Sequence, residues 1–199
     1  CGTWPDQCRR NVLLRDIQRT LMRAAPRAGL EGALYKGLDG LAAQLLGTEW
    51  TRDDGATARI DKCFIDANWA PSTETVYTFC RQSTHAANLT PSHGIGVTAS
   101  NVPLSQRKAK RGDLVGPEWR IPVATGRKVR HIIYDANHWK TSVHARLAVA
   151  IGDKGALSLW GDTPGTHQMI ANHLTAEYRT QTEGCGRTVW EWKLPPNKP

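Results

Sequence analysis

Apolar and polar positions fall into two kinds of block along this chain. In residues 29–47, GLEGALYKGLDGLAAQLLG, Leu30, Leu34, Leu38, Leu41 and Leu45 recur at steps of four, four, three and four. That spacing is one face of an amphipathic helix, strong enough to outweigh internal glycines that cost about 1 kcal/mol each. The polar run TRDDGAT then makes a turn, and ARIDKCFIDAN reads as a strand carried by Ile60, Cys63, Phe64 and Ile65 and closed by Asp66. PSTETVYTFCRQS opens with Pro, Ser and Thr, the chemistry of a helix start, and Val76, Phe79 and Cys80 form its buried stripe.

A short apolar step at 88–91 leads into the glycine-rich SHGIGVTAS and then a long polar loop. VRHIIYD is a second strand ending on an acid, Asp135, which is placed to cap the helix after it. In that helix Trp139, Val143 and Leu147 recur every four residues, with Lys140 and His144 on the neighbouring face. ALSLW, at 156–160, reads as a further strand, and 164–174 as a short helix with Pro164 near its start. LTAEYRTQ–TEGCG–RTVWEWKL reads as a hairpin with Val189, Trp190 and Trp192 as its large apolar residues. Strands and helices alternate, so the expected fold class is α/β, a mixed central sheet flanked by helices.

Charge sharpens this picture. The 199 residues carry a net +8, and most of the excess is concentrated in one place. Between Leu104 and His131, Arg107, Lys108, Lys110, Arg111, Arg120, Arg127, Lys128 and Arg130 are opposed only by Asp113 and Glu118, a local +6. A strip of that kind suits a polyanion, because each neutralised phosphate releases counterions. The same strip also fits a solvated loop that keeps the surface charged. Glycines and prolines around it favour loop and hairpin over helix.

The length fits one domain, 1–199, and no apolar run is long enough to span a membrane. The five cysteines, Cys1, Cys8, Cys63, Cys80 and Cys185, form no CxxC pair, and the histidines show no ligand spacing. Buried or free thiols of a reducing compartment are the expectation. The opening CGTWPDQCRR has neither Met nor a signal peptide's apolar region, as expected of a chain cut from something longer.

The chain contains no GxxxxGK[ST], GxSxG, HExxH or GxGxxG. What remains is a pair of carboxylates at strand ends, Asp66 and Asp135, where open α/β sheets place functional groups. Such a carboxylate can hold Mg²⁺ or Mn²⁺, and two such ions can hydrolyse a phosphodiester. On the residues alone, Asp66 reads first as a turn residue that ends its strand and Asp135 as a helix cap, while Lys140 is expected in solvent or against a phosphate.

At FIDANWAPSTETVYTFCRQ the chain resembles the nuclease region of the lambda-like (GpA family) phage terminase large subunit. CGTWPDQ, the amphipathic helix, the PSHG turn, the basic loop, IIYDANHWKTSVHARL and HLTAEYR follow in the same order, over nearly the whole chain. The resemblance implies a ribonuclease H-like fold, incomplete at both termini, with the ATPase domain not present. It implies a metal-dependent endonuclease that cuts concatemeric double-stranded DNA during genome packaging in the bacterial cytoplasm, with the small terminase subunit and portal as partners of the intact protein. Asp66 matches the middle acid of the family's cluster and is the implied catalytic and metal-binding residue. The other two acids are expected before Cys1 and after Pro199, which would leave this stretch inactive alone. Asp135 and Lys140 are possible additional site residues. Arg107, Lys108, Lys110, Arg111, Arg127, Lys128 and Arg130 are the expected DNA contacts. HGIGVTAS lacks the basic residue related sequences often carry there. The alternatives are a non-catalytic DNA-binding or assembly module of a packaging motor, and a prophage remnant.

Overall fold

The computed structural model describes residues 29–51, 55–69, 72–126, 129–159 and 163–196. CGTWPDQ, Cys1 and Cys8 therefore lie outside the described residues, as do Arg127, Lys128 and Trp160.

The leucine-rich segment forms helix α1, Gly29–Gly47, over the expected length but with a rotated buried face. Ala33, Ala42 and Leu46 are buried and Leu38 partly so, while Leu41 is half exposed. Packing against α2, Thr73–Gln82, sets that face. Tyr35 meets Phe79 edge to face, with ring centroids 5.2 Å apart and planes at 88°. On that side Ala42 and Leu46 join the buried core, with Leu38 packed against it. Helix α2 buries Val76, Phe79 and Cys80 as expected, together with Thr75 and Tyr77. Burial pushes the Cys80 thiol up to about 12, with nearby Cys63 adding to the effect. It is therefore an inert packing group.

Trp50–Thr51 (β1) and Thr57–Ala58 (β2) pair antiparallel on either side of the polar turn. The strand closed by Asp66 is β3, Cys63–Asp66. It pairs parallel with β4, Leu89–Ile95, placing Ile65 opposite Pro91 and Asp66 opposite Ser92. Here the expectation of a short apolar step followed by a glycine turn is corrected: PSHGI continues the strand. Pro, Ser and Gly hide it from a hydrophobicity pattern. Gly94 is required by a close approach, because a Cβ there would stand 2.9 Å from the Tyr134 hydroxyl oxygen.

The polar loop yields a hairpin, as expected, from β5 (Leu114–Gly116) and β6 (Trp119–Ile121). VRHIIYD supplies β7, Ile132–Asp135, followed directly by α3, Ala136–Leu147. The five-stranded mixed sheet runs β3-β4-β7-β6-β5 and, with its helices, makes the fold α/β. Pro164–His167 is a 3-10 turn leading into α4, Gln168–Leu174. The terminal hairpin is β8, Tyr178–Gly184, with β9, Arg187–Lys193.

Two further expectations are corrected. Residues 156–159 are not a strand, since Leu157 N–H donates to the Arg146 carbonyl at 3.0 Å and so serves the end of α3. The Trp139 stripe is not the packed face of α3 either, as Trp139 is exposed and only Asn137 is buried. Instead Asn137, Thr141 and His144 face Trp192 of β9. The Trp192 indole donates to Thr141 Oγ1 at 2.9 Å and stacks on the His144 ring at 4.1 Å. A tryptophan with a polar edge can pack on polar helix positions, which apolar periodicity cannot register.

The chain divides into two compact units, and the division falls within β4. The first unit takes residues up to Ser92 with Ala124–His131, and holds the core of Ala42, Leu46, Ala67, Val76, Tyr77, Phe79, Cys80 and Leu89. The second takes His93–Val123 and everything from Ile132.

Candidate functional site

In the first unit Asp66 closes β3 with its side chain exposed. Its Oδ1 accepts the N–H of Asn68 at 3.2 Å, which turns the chain out of the strand. The turn is fixed on its other side by Ala67 N–H donating to the Ser92 carbonyl at 2.9 Å, and by Thr73 Oγ1 donating to the Ala67 carbonyl at 2.8 Å. A carboxylate at the carboxyl end of a strand, held by the backbone yet open to solvent, can ligate a hard cation.

Asp135, in the second unit, repeats the local chemistry in a buried setting. Asp-Ala-Asn follows both strands, and here too Oδ1 accepts the N–H two residues on, from Asn137 at 2.9 Å. It also accepts from Val97 N–H at 3.3 Å, so Asp135 caps α3 as expected and ties down the loop after β4. Asn137 completes that tie: its Nδ2 donates to the Val97 carbonyl at 3.2 Å and its Oδ1 accepts from Trp192 N–H at 3.0 Å. Lys140 is paired with Glu177 through Nζ and Oε2 rather than standing free in solvent.

The basic loop leaves Arg107, Lys108, Lys110 and Arg111 exposed in the second unit, and Arg130 exposed in the first. Asp113 organises it. Its carboxylate accepts the Lys110 and Val123 N–H groups and the Arg120 guanidinium, each at 3.0 Å. Arg120 is consequently a structural cation, with its side chain 12% exposed and a second bond to the Lys108 carbonyl.

The two backbone N–H groups, with Arg120 as a smaller cause, hold the Asp113 carboxyl below its usual 3.8. A depressed value means this group stabilises the fold above the unfolded-state value and loses that contribution as pH falls through the lower folded one. Asp113→Asn should therefore speed amide exchange at Lys110 and Val123 at neutral pH. It should also abolish the wild-type loss of protection below about pH 4. Unaltered exchange at both amides would show that the loop holds itself without Asp113.

Arg179 escaped notice in the sequence, where Glu118 figures only as an acid opposing the basic strip and Trp190 only as a large apolar residue of the hairpin. Glu118 sits at φ 51°, beside Pro117 in the β5–β6 turn, where glycine or asparagine is usual. Arg179 lies with its guanidinium 4.0 Å from the Trp190 ring centroid. The repeated Asp-Ala-Asn was the available signal for Asn137. Among the described residues, no three His, Cys, Asp or Glu side chains group to hold a metal ion, Cys63, Cys80 and Cys185 are free thiols, and no helix is long and apolar enough to cross a membrane.

A model of the family described as "Terminase large subunit gpA, endonuclease domain" matches residues 35–198. The chain belongs to that family. No curated protein and no solved structure matches it. Membership in the gpA endonuclease family makes this chain part of a phage DNA-packaging nuclease, with DNA as what it acts on. The match takes in every described element from the middle of α1 onwards, including β3 with Asp66, the basic loop and the terminal hairpin.

Proposed function

We propose that this chain is the greater part of a ribonuclease H-like, metal-dependent endonuclease domain that cuts concatemeric phage DNA during packaging, with Asp66 as one of its metal-holding carboxylates. The observation that carries the reading is the exposed Asp66 at the end of β3, inside the span matched to the endonuclease family. The four exposed cations at Arg107, Lys108, Lys110 and Arg111 supply a phosphate-binding surface that is blind to sequence.

The described residues do not by themselves fit a two-ion site. One carboxylate holds Mg²⁺ or Mn²⁺ feebly, and such a site needs bridging and flanking acids. Asp135 spends an oxygen on two backbone N–H groups, and Lys140 is paired with Glu177. Further acids must complete such a site, and the small terminase subunit and portal are the partners this reading gives the packaging protein. A second reading is a module that grips DNA through the exposed Arg107, Lys108, Lys110 and Arg111 without cutting it.

A plasmid-nicking assay with Mn²⁺ separates the two. The chain as it stands should leave supercoiled plasmid almost untouched. Strong cutting that Asp66→Ala removes would refute the claim that the site is incomplete. For the terminase subunit that carries this sequence, cutting that depends on Asp66 supports the enzyme.

A further inference from the structure

The hairpin of β5 and β6 has two unlike faces, and it lies wholly within the second unit. Paired residues of an antiparallel ladder share a face. Val115 pairs with Arg120, on the side where Arg120 is bound to Asp113. Leu114 pairs with Ile121 and Gly116 with Trp119, so the opposite face is apolar. Two residues beyond the Leu114–Ile121 pair, Val123 seats on Gly112 and extends that face. A Cβ at Gly112 would stand 2.9 Å from Val123 Cγ2.

Large apolar side chains scattered singly over a surface are ordinary, but here they adjoin one another and the basic loop. Leu114 is 51% exposed and Val123 40%. Gly112 is the third residue of a turn, Lys110–Asp113, closed by Asp113 N–H donating to the Lys110 carbonyl at 3.0 Å. The exposed Lys110 and Arg111 are its first two residues. Three residues separate Arg111 from Leu114, at most about 11 Å of chain. The Asp113 carboxylate accepts from both Lys110 N–H and Val123 N–H, so cations and apolar face are held as one piece. Strand β5 is last in the sheet order, which leaves this end of the face without a neighbouring strand among the described residues.

We propose that this face enters the major groove of DNA, with Leu114 and Val123 against base edges and Lys110 and Arg111 on the phosphates at its rim. The proposal rests on the reading of the basic loop as a phosphate-binding surface. Two strands about 5 Å apart fit a major groove about 12 Å wide, whereas a minor groove of about 6 Å excludes them. The apolar group that base edges present in the major groove is the C5-methyl of thymine. Leu114 and Val123 therefore favour thymine, a modest preference laid over phosphate contacts that are blind to sequence. An acidic protein segment could meet the same cations, but membership of a DNA-packaging nuclease family makes DNA the polyanion at hand.

The test is equilibrium binding of the full chain, without divalent metal, to two labelled duplexes of alternating sequence. One repeats A·T pairs, and the other replaces every thymine by deoxyuridine, which removes only the methyl groups. The thymine duplex should bind about fourfold tighter, the factor expected for burying one methyl. Leu114→Ala and Val123→Ala should each bring that ratio towards one. Neither should change the slope of log K against log [salt], because no counterion is involved. Val115→Ala, on the other face, should keep the full ratio. Each ratio compares two affinities of one variant, so a general weakening of binding does not imitate the effect. Equal affinity of the unsubstituted chain for both duplexes would overturn the proposal and leave the phosphate-binding reading standing, with the apolar face left to a protein partner. A ratio that survives both substitutions, or that Val115→Ala abolishes equally, would overturn it too. Failure to bind either duplex would overturn both.

Discussion

Replacing Arg107, Lys108, Lys110 and Arg111 together by alanine lowers affinity for double-stranded DNA by roughly 10²–10³ at low salt. It also reduces the slope of log K against log [salt] by about 3–4. These four cations are exposed in one loop, and no acid is ion-paired to them among the described bonds. Each is thus available to displace a counterion from a phosphate. The fifth cation of the same stretch, Arg120, predicts the opposite behaviour. Bound to Asp113 and the Lys108 carbonyl, it shapes the loop, and Arg120→Ala should act through loop order more than through the salt slope. Filter binding or anisotropy across a salt series reads both quantities. An unchanged slope in the fourfold variant would mean that the strip only keeps the surface charged. Binding should weaken to the same degree for unrelated sequences, because phosphate contacts carry no base information.

How far the sequence revealed this structure depended on what each element packs against. Helix α1 was legible to the residue because its leucine spacing survives internal glycines, yet its buried face was misjudged. Periodicity counts large apolar residues, whereas the core shared with α2 takes Tyr35, Ala42 and Leu46 and leaves Leu41 half exposed. Strand β4 was missed for a related reason: Pro91, Ser92 and Gly94 pack against neighbouring strands without looking apolar. The polar face of α3 was invisible because its partner, Trp192, lies 55 residues on from Asn137 in sequence.

The site shows the same contrast. Asp66 and Asp135 were found by their position at strand ends, and the capping role of Asp135 followed from the helix after it. That the two differ in exposure was not legible, since the same Asp-Ala-Asn follows both strands and only the surrounding fold buries one of them. Glu118 stands out in the sequence only as an acid opposing the basic strip. Its left-handed backbone and its place in a cavity lined by β7, α3 and the terminal hairpin depend on residues distant in sequence.

The effect expected to be largest belongs to Asp66. Removing a metal-holding carboxylate from a phosphodiester-cleaving site forfeits several kcal/mol of transition-state stabilisation, a loss in rate on the order of 10³. Because Asp66 is exposed and its bond to Asn68 N–H is a local turn contact, the substitution leaves the buried core of α2, β3 and β4 in place. Plasmid cleavage by the terminase large subunit bearing this sequence, as wild type and as Asp66→Ala, with DNA binding measured in parallel, is the most direct measurement. Cutting that falls about a thousandfold while binding persists is the result predicted here; an Asp66→Ala protein that cuts as well as wild type would contradict it.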